Sequence, residues 1–253
     1  VPPGDYAPVV KGTTTGCLNS GIFITTSDCN HYSFVVVNIP TVTEFQITAS
    51  PMTQSVVIGQ DASVNVQVAS VGGFTSDIQL NVRGVPSGVD FAFDPSTITL
   101  TETIPATSTL TISPLTTAVA GNYQIDLVGT SQGITETATI SLTIVAISTQ
   151  LTMNPILTDI QIGDNQTVSG EISPAFGGAS INLIYTRPDG SEFTRTVTTD
   201  SNGHFSDQYQ PDWVGSWRVR TQWDGDNAHT GSETSPIDFR VQDKPFLEKY
   251  GLR

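Results

Sequence analysis

Residues 119–133 read VAGNYQIDLVGTSQG, and their pattern decides what kind of chain this is. A Gly opens the run, Tyr123 follows, apolar and polar residues alternate through Ile125 and Leu127, and Gly129-Thr130 leads into a turn at Gly133. The N-terminal stretch VPPGDYAPVVKGTTTG (1–16) lies over it without a gap, with Gly4 on Gly121, Tyr6 on Tyr123 and Gly12-Thr13 on Gly129-Thr130. Gly215-Ser216-Trp217 repeats the signature with Trp in place of Tyr. Self-similarity at this spacing marks a chain of repeated modules.

The front of the module has its own mark. Ser50-Pro51 leads through Val56 and Ile58 to Gly59, and Asn154-Pro155 leads through Ile160 and Ile162 to Gly163. Gly4, by contrast, stands almost at the first residue. The first repeat is therefore incomplete. Either the chain is the C-terminal piece of a longer protein, or the open half-sandwich is closed by another polypeptide.

Period-two alternation at Val64–Val68, Ile78–Val82, Leu110–Ile112 and Ile140–Ile144 predicts half-buried antiparallel strands with Ser, Thr, Asn and Gln facing solvent. Turn residues at Val71-Gly72-Gly73, Val85-Pro86-Ser87-Gly88, Asp94-Pro95-Ser96 and Ser113-Pro114 punctuate them. Roughly seven strands in about 100 residues is the count of an immunoglobulin-like sandwich. The last repeat reads the same way over 167–172, 180–186, 192–198, 204–210, 216–223 and 237–241, with hairpin turns at Arg187-Pro188-Asp189-Gly190 and Asp200-Ser201-Asn202-Gly203. The fold class is all-β, a tandem of immunoglobulin-like β-sandwich domains with the first incomplete. The expected divisions are 1–39, the closing hairpin of the incomplete domain, then 40–147, 148–242 and a tail at 243–253.

Tyr6, Tyr123 and Trp217 each open the next-to-last strand of their repeat after a Gly-x turn. A Tyr at that corner packs its ring on the core and returns its hydroxyl to the backbone. Trp217 offers an indole N–H for the same purpose. Neither complete repeat contains a cysteine, so burial must hold each sandwich together.

Of 253 residues only 13% are charged, and the net charge is −14 because Lys and Arg together number 10. Nucleic-acid binding needs clustered basic residues and is excluded as a reading. No apolar run is long enough to span a bilayer. The two cysteines, Cys17 and Cys29, bracket an enlarged hairpin loop, since Gly16 to Ser33 is much longer than the matching Gly133 to Ser141. A disulfide across that loop is the economical reading and implies an oxidising compartment. The rival is a metal or redox pair, although the spacing fits neither CxxC nor a zinc pattern.

His31, His204 and His229 fall in or beside loops of different segments, and no HExxH, GxSxG or CxxC organises them. Asp200-Ser201-Asn202-Gly203 and Asp224-Gly225-Asp226-Asn227 resemble Ca²⁺ ligand spacing, which makes Asp200, Asp224 and Asp226 weak metal candidates. The plainer reading of both is a solvated hairpin turn, because tight turns select Asp, Asn and Gly anyway. Asn165-Gln166-Thr167 is the sole Asn-x-Ser/Thr acceptor and a glycosylation candidate. The tail from Asp243 to Arg253 holds Lys244, Lys249 and Arg253 with Phe246 and Tyr250 between them. That is the composition either of a juxtamembrane segment with a membrane anchor following residue 253, or of an ordinary polar linker.

FQITASP, VVIGQDASVNVQV, GGFTSDIQLNVRGVPSGVDFAFDPSTITL and AGNYQIDLVGTSQG resemble the Ig-like repeats of archaeal and some bacterial surface proteins. ISPAFGGASINLIYTRPDGSEFTRTVTTDSNGHFSDQYQPDWVGSWRVRTQWDGDNAHTGSETSPIDFRV is similar to the Ig-like repeat that often ends such ectodomains. The resemblance covers about residues 41–241 and implies a non-catalytic, extracellular structural protein, an S-layer, surface-filament or adhesin component. Its expected partners are copies of itself or neighbouring surface subunits, and it implies no cofactor. The same repeats also occur as accessory regions of secreted proteases and glycosidases, so the alternative is the C-terminal appendage of a hydrolase.

Overall fold

The computed structural model describes residues 43–244, which contain strands and no helix. Tyr6, Cys17, Cys29 and His31, the incomplete first repeat and the end of the tail lie outside the described residues. The first sandwich comprises β1 (Glu44–Ser50), β2 (Thr53–Val57), β3 (Ala62–Val71), β4 (Asp77–Arg83), β5 (Val89–Asp94), β6 (Thr97–Thr99), β7 (Ala106–Pro114), β8 (Gly121–Ser131) and β9 (Ile134–Val145). The second comprises β10 (Gln150–Met153), β11 (Asp159–Gln161), β12 (Gln166–Ser173), β13 (Ser180–Thr186), β14 (Glu192–Thr198), β15 (His204–Tyr209), β16 (Gly215–Gly225), β17 (Thr230–Glu233) and β18 (Ile237–Gln242).

The repeated Pro-to-Gly stretch is where the first strand of each sandwich changes sheets. β1 runs antiparallel to β3 as far as Ser50, opposite Asn65. Pro51 has no N–H to give a ladder, and beyond it β2 pairs in parallel with β9. In the second sandwich β10 pairs with β12, and past Pro155 β11 pairs in parallel with β18. Gly59 (φ 80°) and Gly163 (φ 90°) then turn the chain in the left-handed region, where a side chain would be strained. One first strand thus stitches both sheets.

The first sandwich sets the sheet β1-β3-β7-β5 against β2-β9-β8-β4-β6. Its core is aliphatic, built from Val64, Val66, Val68, Leu110, Ile112, Ile125, Ile140 and Leu142, with Phe45 leaning on Phe74 at 5.4 Å. Each such buried side chain contributes about 1.5–3 kcal/mol of transfer free energy. The outer face of β8 and β9 is knitted by hydrogen bonds from Thr139 to Asp126 and from Thr143 to Asn122, 2.7 and 2.8 Å long.

The second sandwich pairs a short sheet, β10-β12-β15, with β11-β18-β16-β13-β14. Trp217, Tyr185, Val168 and Phe239 form one core cluster, and Ile172, Ile181, Phe205 and Trp223 another. The flank between edge strands β14 and β15 is bridged by charge. Arg195 donates from Nε and Nη2 to the two Asp207 carboxylate oxygens at 2.6 and 2.8 Å. The Arg195 guanidinium also faces the Tyr209 ring at 5.7 Å, and that of Arg187 covers the Phe193 ring at 4.4 Å. Burial first, and then the Asp207 carboxylate, push the Tyr185 phenol far above its ordinary range.

Strand β17 escapes the alternation rule, because Thr230-Gly231-Ser232-Glu233 has no large apolar residue to bury. It pairs with the far half of β16, after which the chain breaks at Thr234 and resumes as β18.

Gly129, the repeat glycine of the opening stretch, lies inside β8, where a Cβ would come 2.5 Å from Ile47 Cδ1 and 2.9 Å from the Phe45 ring. Gly129→Val should therefore destabilise the chain by about 1–3 kcal/mol through overpacking, read from chemical denaturation. A midpoint equal to that of the unaltered chain would show that β1 does not close on β8 in this register.

Candidate functional site: the joint between the sandwiches

The largest built feature that belongs to neither sandwich alone is their joint. It is made by the β16–β17 hairpin. Asp226 Oδ1 accepts the amides of Ala228 and His229, both at 2.8 Å, and the His229 ring nitrogen Nδ1 lies 2.9 Å away. Asn, Asp and Gly favour such turns because a short carboxylate can satisfy the amides of the bend. Gly225 (φ 87°) is obligatory, since a Cβ there would meet Gly231 N at 2.7 Å and His229 O at 2.8 Å. The His229 ring stacks on Phe176, from the β12–β13 loop, at 4.3 Å and 13°, and Phe176 leans on Trp223 at 5.3 Å. An aromatic base holds the hairpin upright.

The raised tip enters the first sandwich. Ala228 is 7% exposed and belongs to the core of the first sandwich. Ala120 N donates to Asn227 O at 3.1 Å, and Ile147 N donates to Ala228 O at 2.7 Å. Thr230 N returns a bond to Ile147 O at 2.9 Å, giving a parallel bridge between Ile147 and His229. Thr149 completes the seam: its hydroxyl donates to Thr230 O at 2.6 Å, and its amide donates to Thr230 Oγ1 at 3.1 Å. The connection from β9 to β10 is thus paired backbone rather than a free linker.

The corner residues brace either end of this arrangement. The Tyr123 hydroxyl donates to Val119 O at 2.9 Å, and the Trp217 indole N–H donates to Trp213 O, also at 2.9 Å. Both bonds reach four residues back. Trp217 is fully buried, whereas Tyr123 packs partly buried against the first core.

The remaining candidates lie apart. Asp200 accepts the amides of Asn202 and His204 at 2.8 and 2.9 Å, and its carboxyl is held below the usual range, chiefly by the His204 amide. Asp224 accepts from the Gln222 side-chain amide at 2.9 Å. Among the described residues no three His, Cys, Asp or Glu side chains converge as a metal site. Asn165 sits exposed in the turn before β12. His204 is exposed and lies 3.5 Å from Glu171 and 3.8 Å from Asp200. Both oxygens of Asp207 are occupied by Arg195.

No family model matches the chain, and no curated protein matches it. Solved structures do. Domains 4 and 5 of the S-layer protein SbsC are similar at 19% identity and a TM-score of 0.32, over 42% of this chain and 54% of that one. The titin domains Z1Z2, in complex with telethonin, are similar at 15% identity and a TM-score of 0.43, over 81% and 99%. A tetra-tandem repeat from the extending region of a large adhesion protein is similar at 12% identity and a TM-score of 0.40, over 80% and 50%. The matched region is about half of the S-layer and adhesion-protein chains. The likeness is one of fold.

Trp217→Ala should destabilise the second sandwich by about 3–5 kcal/mol, whereas Tyr123→Phe, which loses a single hydrogen bond, should cost about 0.5–1.5 kcal/mol. Urea melts of the two variants would separate the values, and a loss below about 1 kcal/mol for Trp217→Ala would mean that its ring does not fill the core.

Burial raises the Asp226 carboxyl, but the Ala228 amide, the His229 ring and the His229 amide outweigh it and hold the group below the usual range. A carboxyl depressed on folding stabilises the joint above its unfolded value of about 4 and ceases to do so as pH falls through the lower folded value. Fluorescence of Trp223, beside the hairpin, should therefore show an acid step below about pH 4. Asp226→Asn should abolish that step.

Proposed function

We propose that this chain is a structural component of an extracellular, cell-surface assembly, an S-layer, filament or adhesin stalk, in which Ig-like sandwiches joined rigidly end to end hold distance and transmit force without catalysis. The observation that carries the reading is the joint. A hairpin of one sandwich plugged into the core of the next, with reciprocal backbone bonds at Ile147, fixes the angle between them. Connections that only tether domains leave relative motion as the default, so paired backbone across the connection favours a scaffold in which geometry is the product. Surfaces of Ser, Thr, Asn and Gln with few Lys or Arg suit a hydrated exterior that offers little to proteases cutting at basic residues. Copies of the chain or neighbouring surface subunits are its natural partners.

NMR relaxation tests the reading. Both sandwiches should report one rotational correlation time, and Ala228→Asp, which forces a charge into the first core, should uncouple them while each retains its own dispersed spectrum. Independent tumbling of the unaltered chain would remove the basis for a rigid scaffold.

A further inference from the structure

Strand β14 is a sheet edge that, among the described residues, pairs with β13 alone. Arg187 N donates to Ser191 O and Thr199 N donates to Ala179 O, so the odd-numbered residues of β14 turn their main-chain groups toward β13. The even-numbered ones, Glu192, Thr194, Thr196 and Thr198, turn theirs outward. A row of outward N–H and C=O groups on an extended strand is a template for another strand. Edges elsewhere are blunted. β2, β6, β10, β11 and β17 run for three to five residues. β1 leaves its sheet at Pro51, β5 carries Asp90 and Asp94, and on β15 the amide and carbonyl of His204 are taken by Asp200. β14 has seven residues without Pro, Gly, Lys or a bulge, and its threonines suit a strand. Its one inward charge, Arg195, is drawn back by Asp207, and Phe193 and Val197 on the same face stay partly exposed.

We propose that β14 pairs antiparallel with β14 of a second copy across a two-fold axis, which makes one continuous sheet of the two molecules. Charge selects the register. With Thr194 on the axis, Thr194 exchanges main-chain bonds with its own copy and Glu192 with the second copy's Thr196. Arg195 then comes beside the second copy's Phe193, the ring that Arg187 already covers from its own chain. Putting Arg195 on the axis would set two guanidiniums against each other, and putting Thr196 there would set Glu192 against the second copy's Asp200. Like charges directly opposite destabilise a ladder, so the Thr194 register is the one in which the edge complements itself. In a chain of net charge −14, an edge whose charges avoid one another is where two copies can meet. The proposal rests on the scaffold reading for its choice of partner, and it adds a lateral contact to the end-to-end joint.

Sedimentation and amide hydrogen exchange of the full 253-residue chain test it. The unaltered chain should dimerise with rising concentration. As it does, the outward amides of Thr194 and Thr196 should pass from fast to slow exchange, while the inward amides of Phe193, Arg195 and Val197 stay slow throughout. Thr194→Lys places two ammonium groups on the axis, and Thr196→Pro removes an outward N–H without touching the bonds to β13. Each should weaken dimerisation at least about tenfold. Should Thr196→Pro fail to fold, Thr194→Lys, a change at an exposed position, carries the test alone. A chain that stays monomeric up to about 1 mM, dimerisation undiminished by Thr194→Lys, or Thr194 and Thr196 amides already slow in the dilute monomer would overturn the proposal. The rigid joint is read separately by relaxation, so a monomer whose sandwiches tumble together would remove the edge contact and leave the scaffold reading standing.

Discussion

Reciprocal hydrogen bonds between Ile147 and the Ala228–Thr230 backbone are the constraint on which the joint depends. Ala228 could not stay in the first core if the hairpin were free to swing, and the hairpin could not stand without Asp226, His229 and Phe176 beneath it. Backbone pairing is strong in place because its groups are satisfied there and would need water if the joint opened. An angle set by main chain is also insensitive to most side-chain change.

The two sandwiches solve the same problem with different means. The first has a full complement of strands on both sheets and an aliphatic core, with scarcely a charge inside it. The second has only three strands on one sheet, and it covers the gap with Arg195, Asp207 and a run of tilted and edge-on aromatics from Phe193 to Trp217. A guanidinium suits that flank, since it can bond a buried carboxylate with one edge and lie over a ring with its face. The carboxylates of Asp200, Asp207 and Asp226 are likewise engaged, by backbone amides or by Arg195.

Much of this was legible in the sequence. The expected spans at Ser180–Thr186 and Glu192–Thr198 coincide with β13 and β14, and the alternations at Val64–Val68 and Ile140–Ile144 lie within β3 and β9, because a strand with one buried face must place apolar residues at every second position. The Pro-to-Gly repeat marks the strand that changes sheets, since a residue without an N–H and a residue tolerant of positive φ are both required there. Edge pieces such as β6 and β17 were not legible, as three or four residues with a single apolar side chain or none carry no period.

Residue pattern by itself determined the all-β class, because the alternation that gives a strand one buried face is local chemistry repeated along the chain. Only the tertiary structure decided that Asp224-Gly225-Asp226-Asn227 is part of a plug and not simply another solvated turn. The residues that fix it, Ala120, Ile147 and Thr149, lie far from it in sequence and act mainly through main-chain groups that every residue possesses. A hydrogen bond between backbones leaves no mark in the side chains, so which turn meets which neighbour is settled when the sandwiches come together.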